Sequence, residues 1–339
     1  MRYTIIIPVY NRPDEVDELL ESLTAQTVDT EAFEVVVVED GSQTPCSEVV
    51  GKYADSLAVH YYMKENGGPG PARNYGAERS QGDYLLILDS DCVLPPTYLE
   101  AIDRELGQNP CDAFGGPDCA HESFTPVQKA ISYSMTSFFT TGGIRGGRKK
   151  LDKFYPRSFN MGIRRDVYAA LGGFSRMRFG EDIDLSIRIF EGGYTCRLFP
   201  EAWVWHKRRT DMDKFFKQVF NSGIARINLE KRHPGTMKLV HMLPTAFTLG
   251  TSMLIILALV LRIVGSWWWI AALAPILLYC IMIFIDSTRQ NRNAYIGLLS
   301  VEAAFVQLYG YGLGFIKAWW GRCVLKRGEF SAYEQTFYD

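Results

Sequence analysis

Apolar positions change period along this chain, and the changes divide it. Tyr3–Val9, Glu34–Val38, Leu57–Tyr62 and Tyr84–Leu88 read as strands. Between them lie a helix from Pro13 with Val16, Leu19, Leu20 and Leu23 on one face, a polar helix, and a helix near Pro71–Arg79. Pro13 suits a first helical turn, and the unbroken apolar run Val35–Val38 is the pattern of a strand covered on both faces. The alternation predicts a mostly parallel, Rossmann-like α/β sheet with flanking helices. Beyond residue 238 the pattern is different. Leu239–Leu261 and Ile263–Ile285 are each 23 residues without Lys, Arg, Asp or Glu, separated only by Arg262. Each is long enough to cross a hydrocarbon core of about 30 Å.

Flanking residues orient that pair. Trp267, Trp268 and Trp269 at the turn fit an interfacial belt, and Lys231, Arg232, Lys238, Arg289 and Arg292 lie outside the two runs. The positive-inside rule predicts a transmembrane hairpin with both flanks and the N-terminal part in the cytosol, at a cell inner membrane. A third run, Ala294–Ile316, holds Glu302, Gln307 and four glycines (Gly297, Gly310, Gly312, Gly314), with Lys317, Arg322, Lys326 and Arg327 after it. A span and a re-entrant or surface-lying helix both fit. Residues 211–238 set Phe215, Phe216, Val219, Phe220, Ile224 and Ile227 against Lys214, Lys217, Arg226, Lys231 and Arg232. That amphipathic pattern suits a cytosolic membrane interface, with packing on the sheet as the alternative. The expected organisation is therefore a catalytic domain over 1–210, an interfacial helix region over 211–238, a membrane hairpin over 239–286, and a third membrane-associated helix with a tail over 287–339.

Composition narrows this further. At 339 residues, 47% hydrophobic and a net charge of −2, the chain is neither disordered nor a small disulfide scaffold. The charge is unevenly spread: residues 1–126 carry 23 acidic and 7 basic side chains, residues 127–339 carry 15 and 29. Nucleic acid is not an expected partner, whereas phosphates and anionic lipid suit the basic half. Seven widely spaced cysteines show no zinc or disulfide pattern, which fits a reducing compartment. The first apolar run lacks the basic lead and cleavage site of a signal peptide, again an expectation of a cytosolic N-terminal domain.

Ligands of such sheets bind beyond the strand C-termini. There the chain has Pro8-Val9-Tyr10-Asn11, Glu39-Asp40-Gly41-Ser42 and Asp89-Ser90-Asp91. Two carboxylates one residue apart can face one divalent ion where a strand bends into a loop, and their hard oxygens suit Mg²⁺ or Mn²⁺ bridging a diphosphate. A solvated turn also produces such triplets. A second acidic pair, Glu181-Asp182, follows Gly180 and opens a helical pattern, where acids also complement the helix dipole.

Seven segments now stand in order over about residues 3–206. They are Ile6-Ile7-Pro8-Val9-Tyr10-Asn11-Arg12, Val37-Val38-Glu39-Asp40-Gly41-Ser42, Gly70-Pro71-Ala72-Arg73-Asn74, Leu88-Asp89-Ser90-Asp91, Asn160-Met161-Gly162-Ile163-Arg164-Arg165, Gly172-Gly173-Phe174 and Gly180-Glu181-Asp182-Ile183-Asp184-Leu185. The set resembles the family 2 glycosyltransferases, nucleotide-sugar-dependent enzymes with the GT-A fold. The resemblance implies that Pro8, Val9 and Tyr10 frame the nucleobase, that Asp40 accepts from it and that Arg73 donates to it, the alternatives being a turn residue and a surface charge. It implies Asp91 as metal ligand, with Asp89 assisting at the ribose or through water. Asp182, with Glu181 beside it, is implied as general base in a single displacement that inverts the anomeric carbon, with the metal and nearby cations stabilising the leaving diphosphate. His206 is similar to a histidine that some members use at the metal or diphosphate, a structural histidine being the other reading.

Two further features set the expected substrate. Gly142–Lys150 is rich in glycine and cations, which fits a lid over phosphates, a lipid-headgroup contact or a solvated loop. Processive polysaccharide synthases carry Q-x-x-R-W after the catalytic acid, but Gln218 here is followed by Val219-Phe220-Asn221-Ser222. The expectation is a non-processive, membrane-anchored enzyme moving a sugar, from a UDP-sugar in preference, to a lipid-linked or other membrane-presented glycan acceptor. A polyprenyl-phosphate hexose synthase is the enzymatic alternative, although Asp89-Ser90-Asp91-Cys92-Val93-Leu94-Pro95-Pro96 keeps only part of the run typical of that group. An inactive nucleotide-sugar-binding scaffold is the non-enzymatic one.

Overall fold

A computed structural model describes residues 1–119, 124–141, 154–177, 179–207 and 211–329. The stretch at 142–150, with its lid and headgroup readings, lies outside the described residues. The described residues form two compact units, one from 1–119, 154–177 and 179–207, the other from 124–141 and 211–329.

The first unit is built on strands β1 (Tyr3–Val9), β2 (Phe33–Asp40), β3 (Val59–Lys64), β4 (Tyr84–Leu88), β5 (Cys92–Val93), β6 (Ala113–Gly115), β7 (Asp118–Cys119), β8 (Asn160–Arg164), β9 (Cys196–Leu198) and β10 (Val204–His206). Seven of them make one sheet in the order β3-β2-β1-β4-β8-β6-β9. Only β8 runs against the rest, pairing antiparallel with both β4 and β6. The predicted mostly parallel α/β sheet is what the structure contains.

Successive residues of a strand face opposite sides, and both sides are covered here. Ile5, Ile7, Val35, Val37, Leu86 and Leu88 join one core with Val16, Leu19, Leu20 and Leu23 of the helix Pro13–Thr24. Ile6, Leu85 and Ile87 join a core with Leu185 and Ile189, while Val36 and Val38 pack with Ala72. That double cover explains why Val35–Val38 shows no alternation. Parallel pairing in register, Val9 opposite Glu39, sets the C-terminal ends of β1 and β2 at one edge of the sheet. A small second sheet, β5-β10-β7, sets His206 opposite Cys92.

The second unit is helical. Three of its helical stretches are long and apolar enough to cross a membrane: Leu239–Ile263, Trp269–Asn291 and Ala294–Val324. In its most apolar 18 residues the third has 44% buried, against 17% and 11% for the others, so it is the one the rest packs around. Phe215, Val219 and Ile227 of the helix Met212–Arg232 pack in clusters with Ile296, Ala303, Phe315 and Ala318, a partner that the amphipathic pattern alone does not specify. Two glycines of the third run, Gly310 and Gly314, mark this seam, while Gly297 and Gly312 lie against the other two apolar helices. A Cβ at Gly314 would lie 2.0 Å from the Phe220 carbonyl oxygen, and one at Gly223 would lie 2.2 Å from that of Tyr311. Small residues four apart, Gly310 and Gly314, let the two backbones approach in this way. Hydroxyls complete the helix contacts, with Ser287 and Ser300 2.7 Å apart and Thr251 2.7 Å from the Tyr309 hydroxyl.

Candidate active site

The loops after β1 and β2 are tied together before any ligand arrives. Asn11 adopts φ +54°, in the left-handed region that asparagine tolerates, and its Oδ1 accepts from the backbone of Gln43 (2.7 Å) and Thr44 (3.0 Å). Glu39 is fully buried and accepts from Ser42, from the Cys46 backbone at 2.8 Å and from the Tyr61 hydroxyl at 3.2 Å. Pro8 and Val9 end β1, with Val9 buried and Tyr10 half-buried just beyond.

Asp40 turns toward the loop after β3. Its carboxylate accepts from Lys64 Nζ (2.6 Å) and from the backbone N–H groups of Gly67 (3.0 Å) and Gly68 (2.7 Å), and the residue is 1% exposed. These bonds fix the entry into the helix Pro69–Ala77. Arg73, one helical turn on, is 3% exposed and donates to Asp89 Oδ1 at 2.7 Å and to Glu181 Oε1 at 3.1 Å. The two residues expected at the nucleobase thus have these partners within the chain, and Arg73 joins the two acidic clusters that the sequence kept 90 residues apart.

Helix Glu181–Glu191 starts after Gly180, whose φ of +86° suits glycine. Burial, and then the neighbouring Asp182, push the Glu181 carboxyl up to about 7 against the opposing pull of Arg73. Asp182 meets the Arg157 guanidinium at 3.3 Å. Asp184 is buried with Arg188, which also donates to the carbonyls of Leu171 and Gly173 and so fastens the helix to the Gly172-Gly173 turn.

The expected metal residues meet through the small sheet. Asp91 Oδ1 and His206 Nε2 are 3.1 Å apart, and Arg12 lies 3.5 Å from Asp91 Oδ2. Asp91, Cys92 and His206 offer atoms within 4.8 Å of one another. Burial pushes the Cys92 thiol well up, and the thiol donates to the Phe159 carbonyl, so Cys92 stays protonated. What remains is one carboxylate oxygen and one imidazole nitrogen, a donor pair that fits Mg²⁺ or Mn²⁺. Behind the imidazole, Asp118 Oδ2 lies 3.8 Å from Nδ1, and the Phe159 ring stacks on it at 4.8 Å. Sequence reasoning missed Asp118, Arg157 and Phe159. Asp118 and Phe159 reach His206 through non-local contacts, Asp118 by the pairing of β7 with β10, and no local pattern signals that.

Comparison with known proteins now decides the family. The profile of Glycosyl transferase family 2 matches residues 4–172. The chain belongs to glycosyltransferase family 2. Glycosyltransferase AglE of Haloferax volcanii is 26% identical over 230 residues, 67% of this chain and 73% of that protein. An uncharacterized glycosyltransferase of Haemophilus influenzae is 32% identical over 196 residues, and the match spans 62% of its length, less than two thirds. The mannosyltransferase PcManGT from Pyrobaculum calidifontis, solved in complex with GDP-Man and Mn²⁺, superposes with a TM-score of 0.64 at 17% identity over 95% of this chain and 88% of its own. S. aureus TarS 1–349, solved with UDP-GlcNAc, gives 0.50 at 16% identity over 96% and 93%. At those identities the likeness establishes the fold. Within this family 2 glycosyltransferase, Asp40, Arg73, Asp89 and Asp91 lie inside the matched segment, whereas Glu181, Asp182 and His206 lie beyond it.

Proposed function

We propose that the enzyme transfers a sugar from a nucleotide-diphosphate donor, a UDP-sugar in preference, to a hydroxyl of a lipid-linked or other membrane-presented glycan, with inversion at the anomeric carbon. The observation that carries this reading is the buried Arg73, which joins a donor-side acid, Asp89, to the Glu181-Asp182 pair. Two acid clusters held together suit a reaction in which one holds the departing diphosphate and the other receives a proton from the attacking hydroxyl.

In this reading the backbone of Pro8, Val9 and Tyr10 frames the nucleobase, with Asp40 and Arg73 as the base-side residues of the family pattern acting from their positions under the donor. Asp91 and His206 would hold Mg²⁺ or Mn²⁺, with Asp89 assisting, and the Mn²⁺ of the GDP-Man complex of PcManGT supports a divalent ion. When bound, the ion supplies positive charge against the leaving diphosphate. Asp182 takes the acceptor proton, and Arg157 pairs with its carboxylate. No carboxylate nucleophile is required. The three apolar helices support attachment to a membrane; the flanking cations, by the positive-inside rule, favour the cell inner membrane with the catalytic unit in the cytosol. The polyprenyl-phosphate alternative differs in the acceptor group, an ionised phosphate oxygen that attacks without giving up a proton, so Asp182 would not act as base there.

The test is to incubate detergent-solubilised enzyme with UDP-GlcNAc, other UDP-sugars and GDP-Man, with Mn²⁺ or EDTA and a membrane lipid extract, and to follow nucleotide release and product. A glycosidic product of inverted configuration, lost in EDTA, is expected. A mild-acid-labile polyprenyl phosphosugar would establish the alternative, and retention of configuration would overturn the single displacement.

A further inference from the structure

Arg73 is buried where a charge is costly unless opposite charges lie beside it. Its two terminal nitrogens reach carboxylates from segments 16 and 108 residues away along the chain. The same helix grips the loop before the acid helix. Asn74 Nδ2 donates to the Phe174 carbonyl at 2.9 Å, the Phe174 backbone N–H donates to Asn74 Oδ1 at 2.8 Å, and the Phe174 ring lies 5.0 Å from the Arg73 guanidinium. A Cβ at Gly70 would stand 3.7 Å from Glu181 Cγ, so the helix backbone runs close beside that acid. Each terminal nitrogen meets one acid, while the buried Nε has no hydrogen-bond partner, so the guanidinium keeps donors to spare while it holds both acids.

We propose that Arg73 is a positioning residue, a two-armed strut that fixes the start of the Glu181–Glu191 helix against the end of β4 and thereby aims Asp182 at the acceptor. This rests on the proposed transferase reading and adds to the base-side role of Arg73 a second one, setting the acid helix. Only a planar, forked cation can engage both acids at once; a lysine ammonium in its place serves one of them.

The experiment compares wild type with Arg73→Lys and Arg73→Met as full-length protein in detergent, Arg73→Lys guarding against a variant that fails to fold. Three quantities are read: UDP affinity by calorimetry without metal, the rate of nucleotide release at saturating donor with Mn²⁺, and hydrogen exchange of peptides covering 172–185. The expected result is a rate at saturating donor about 10²-fold lower in both variants, whatever UDP affinity each keeps, the size of loss that a misplacement of about 1 Å produces, and faster exchange over 180–185. UDP affinity lost while the saturated rate survives would make Arg73 a nucleobase contact only and overturn the proposal, as would unchanged exchange over 180–185 in Arg73→Lys. Failure of the transferase reading would look different: wild type would release nucleotide from no donor, while the exchange measurement would still decide the strut.

Discussion

In the sheet unit the buried polar groups at the candidate site are charged and gathered near strand ends: Asp40, Arg73 and Asp91 are all under a tenth exposed, each with an opposite charge beside it. Within the three apolar helices of the other unit, the buried polar residues are hydroxyls, Thr248, Thr251, Ser287 and Ser300, bonded to neighbouring helices or to their own backbone. Both arrangements pair the residues just named, but they store different things. Paired charges at the edge of a sheet can be re-paired by an incoming diphosphate or metal, so the site holds ready-made electrostatics. Hydroxyls and glycines in a helix seam have no such exchange to offer; they let apolar helices close on one another. Chemistry is thus expected to fail when the first unit is altered, and assembly when the second is.

The largest effect should come from Asp182→Asn. Removing a positioned base costs about 10²- to 10⁴-fold in turnover, whereas an acid serving only the helix dipole would cost at most about 1 kcal/mol of stability and little rate. Initial rates on a folded variant separate the two. Next in size is Asp118→Asn, which leaves Asp91 and His206 in place but removes the carboxylate behind the imidazole. Such outer partners are worth about 10- to 100-fold in metal affinity, so a Mn²⁺ titration of donor binding should shift by that factor, and an unchanged titration would detach Asp118 from the metal centre.

Gly314→Leu sharpens the contrast from the other side. Overpacking a seam where a Cβ already meets a carbonyl oxygen should cost about 1–3 kcal/mol, read as a lower thermal midpoint in detergent, with UDP affinity kept. Loss of UDP binding in that variant would erase the distinction between the units. The smallest effect concerns pH. The folded protein holds the Glu181 proton up to about pH 7 against an ordinary value of 4.5, so stability from this group is full below about 4.5 and declines as pH rises through 7. Glu181→Gln should flatten that decline in thermal midpoint, and parallel curves for the two proteins would remove Glu181 as its source.

Much of this was legible in the chain because it is local. Strand-end acids, the Pro13 helix start and the charge-free runs are each read within one segment; the strands appear within about two residues of their patterns, whereas the second apolar helix runs Trp269–Asn291, six residues later than the charge-free run Ile263–Ile285. What was not legible depends on pairing between distant segments. The sequence offered Arg73 as a base-side cation, and only the fold brings Asp89 and Glu181 to it. His206 carried a mild signal, yet Asp118 and Phe159, which hold its ring, carried none, since the short strands β7 and β10 have too few residues for a periodicity. The glycines of Ala294–Ile316 looked like a weakness in a span until Phe220 and Val219 were seen lying against two of them.

The central claim is that the two acidic clusters have separate duties, one toward the donor and one toward the acceptor. Calorimetric titration of UDP-GlcNAc, or of whichever donor the wild type turns over, into wild type, Asp91→Ala and Asp182→Asn with Mn²⁺ present tests it most directly. The account predicts donor affinity near wild type in Asp182→Asn and at least about tenfold weaker in Asp91→Ala, the loss expected when a ligand to the ion is removed. Equal loss of donor affinity in both variants, or none in either, would contradict it.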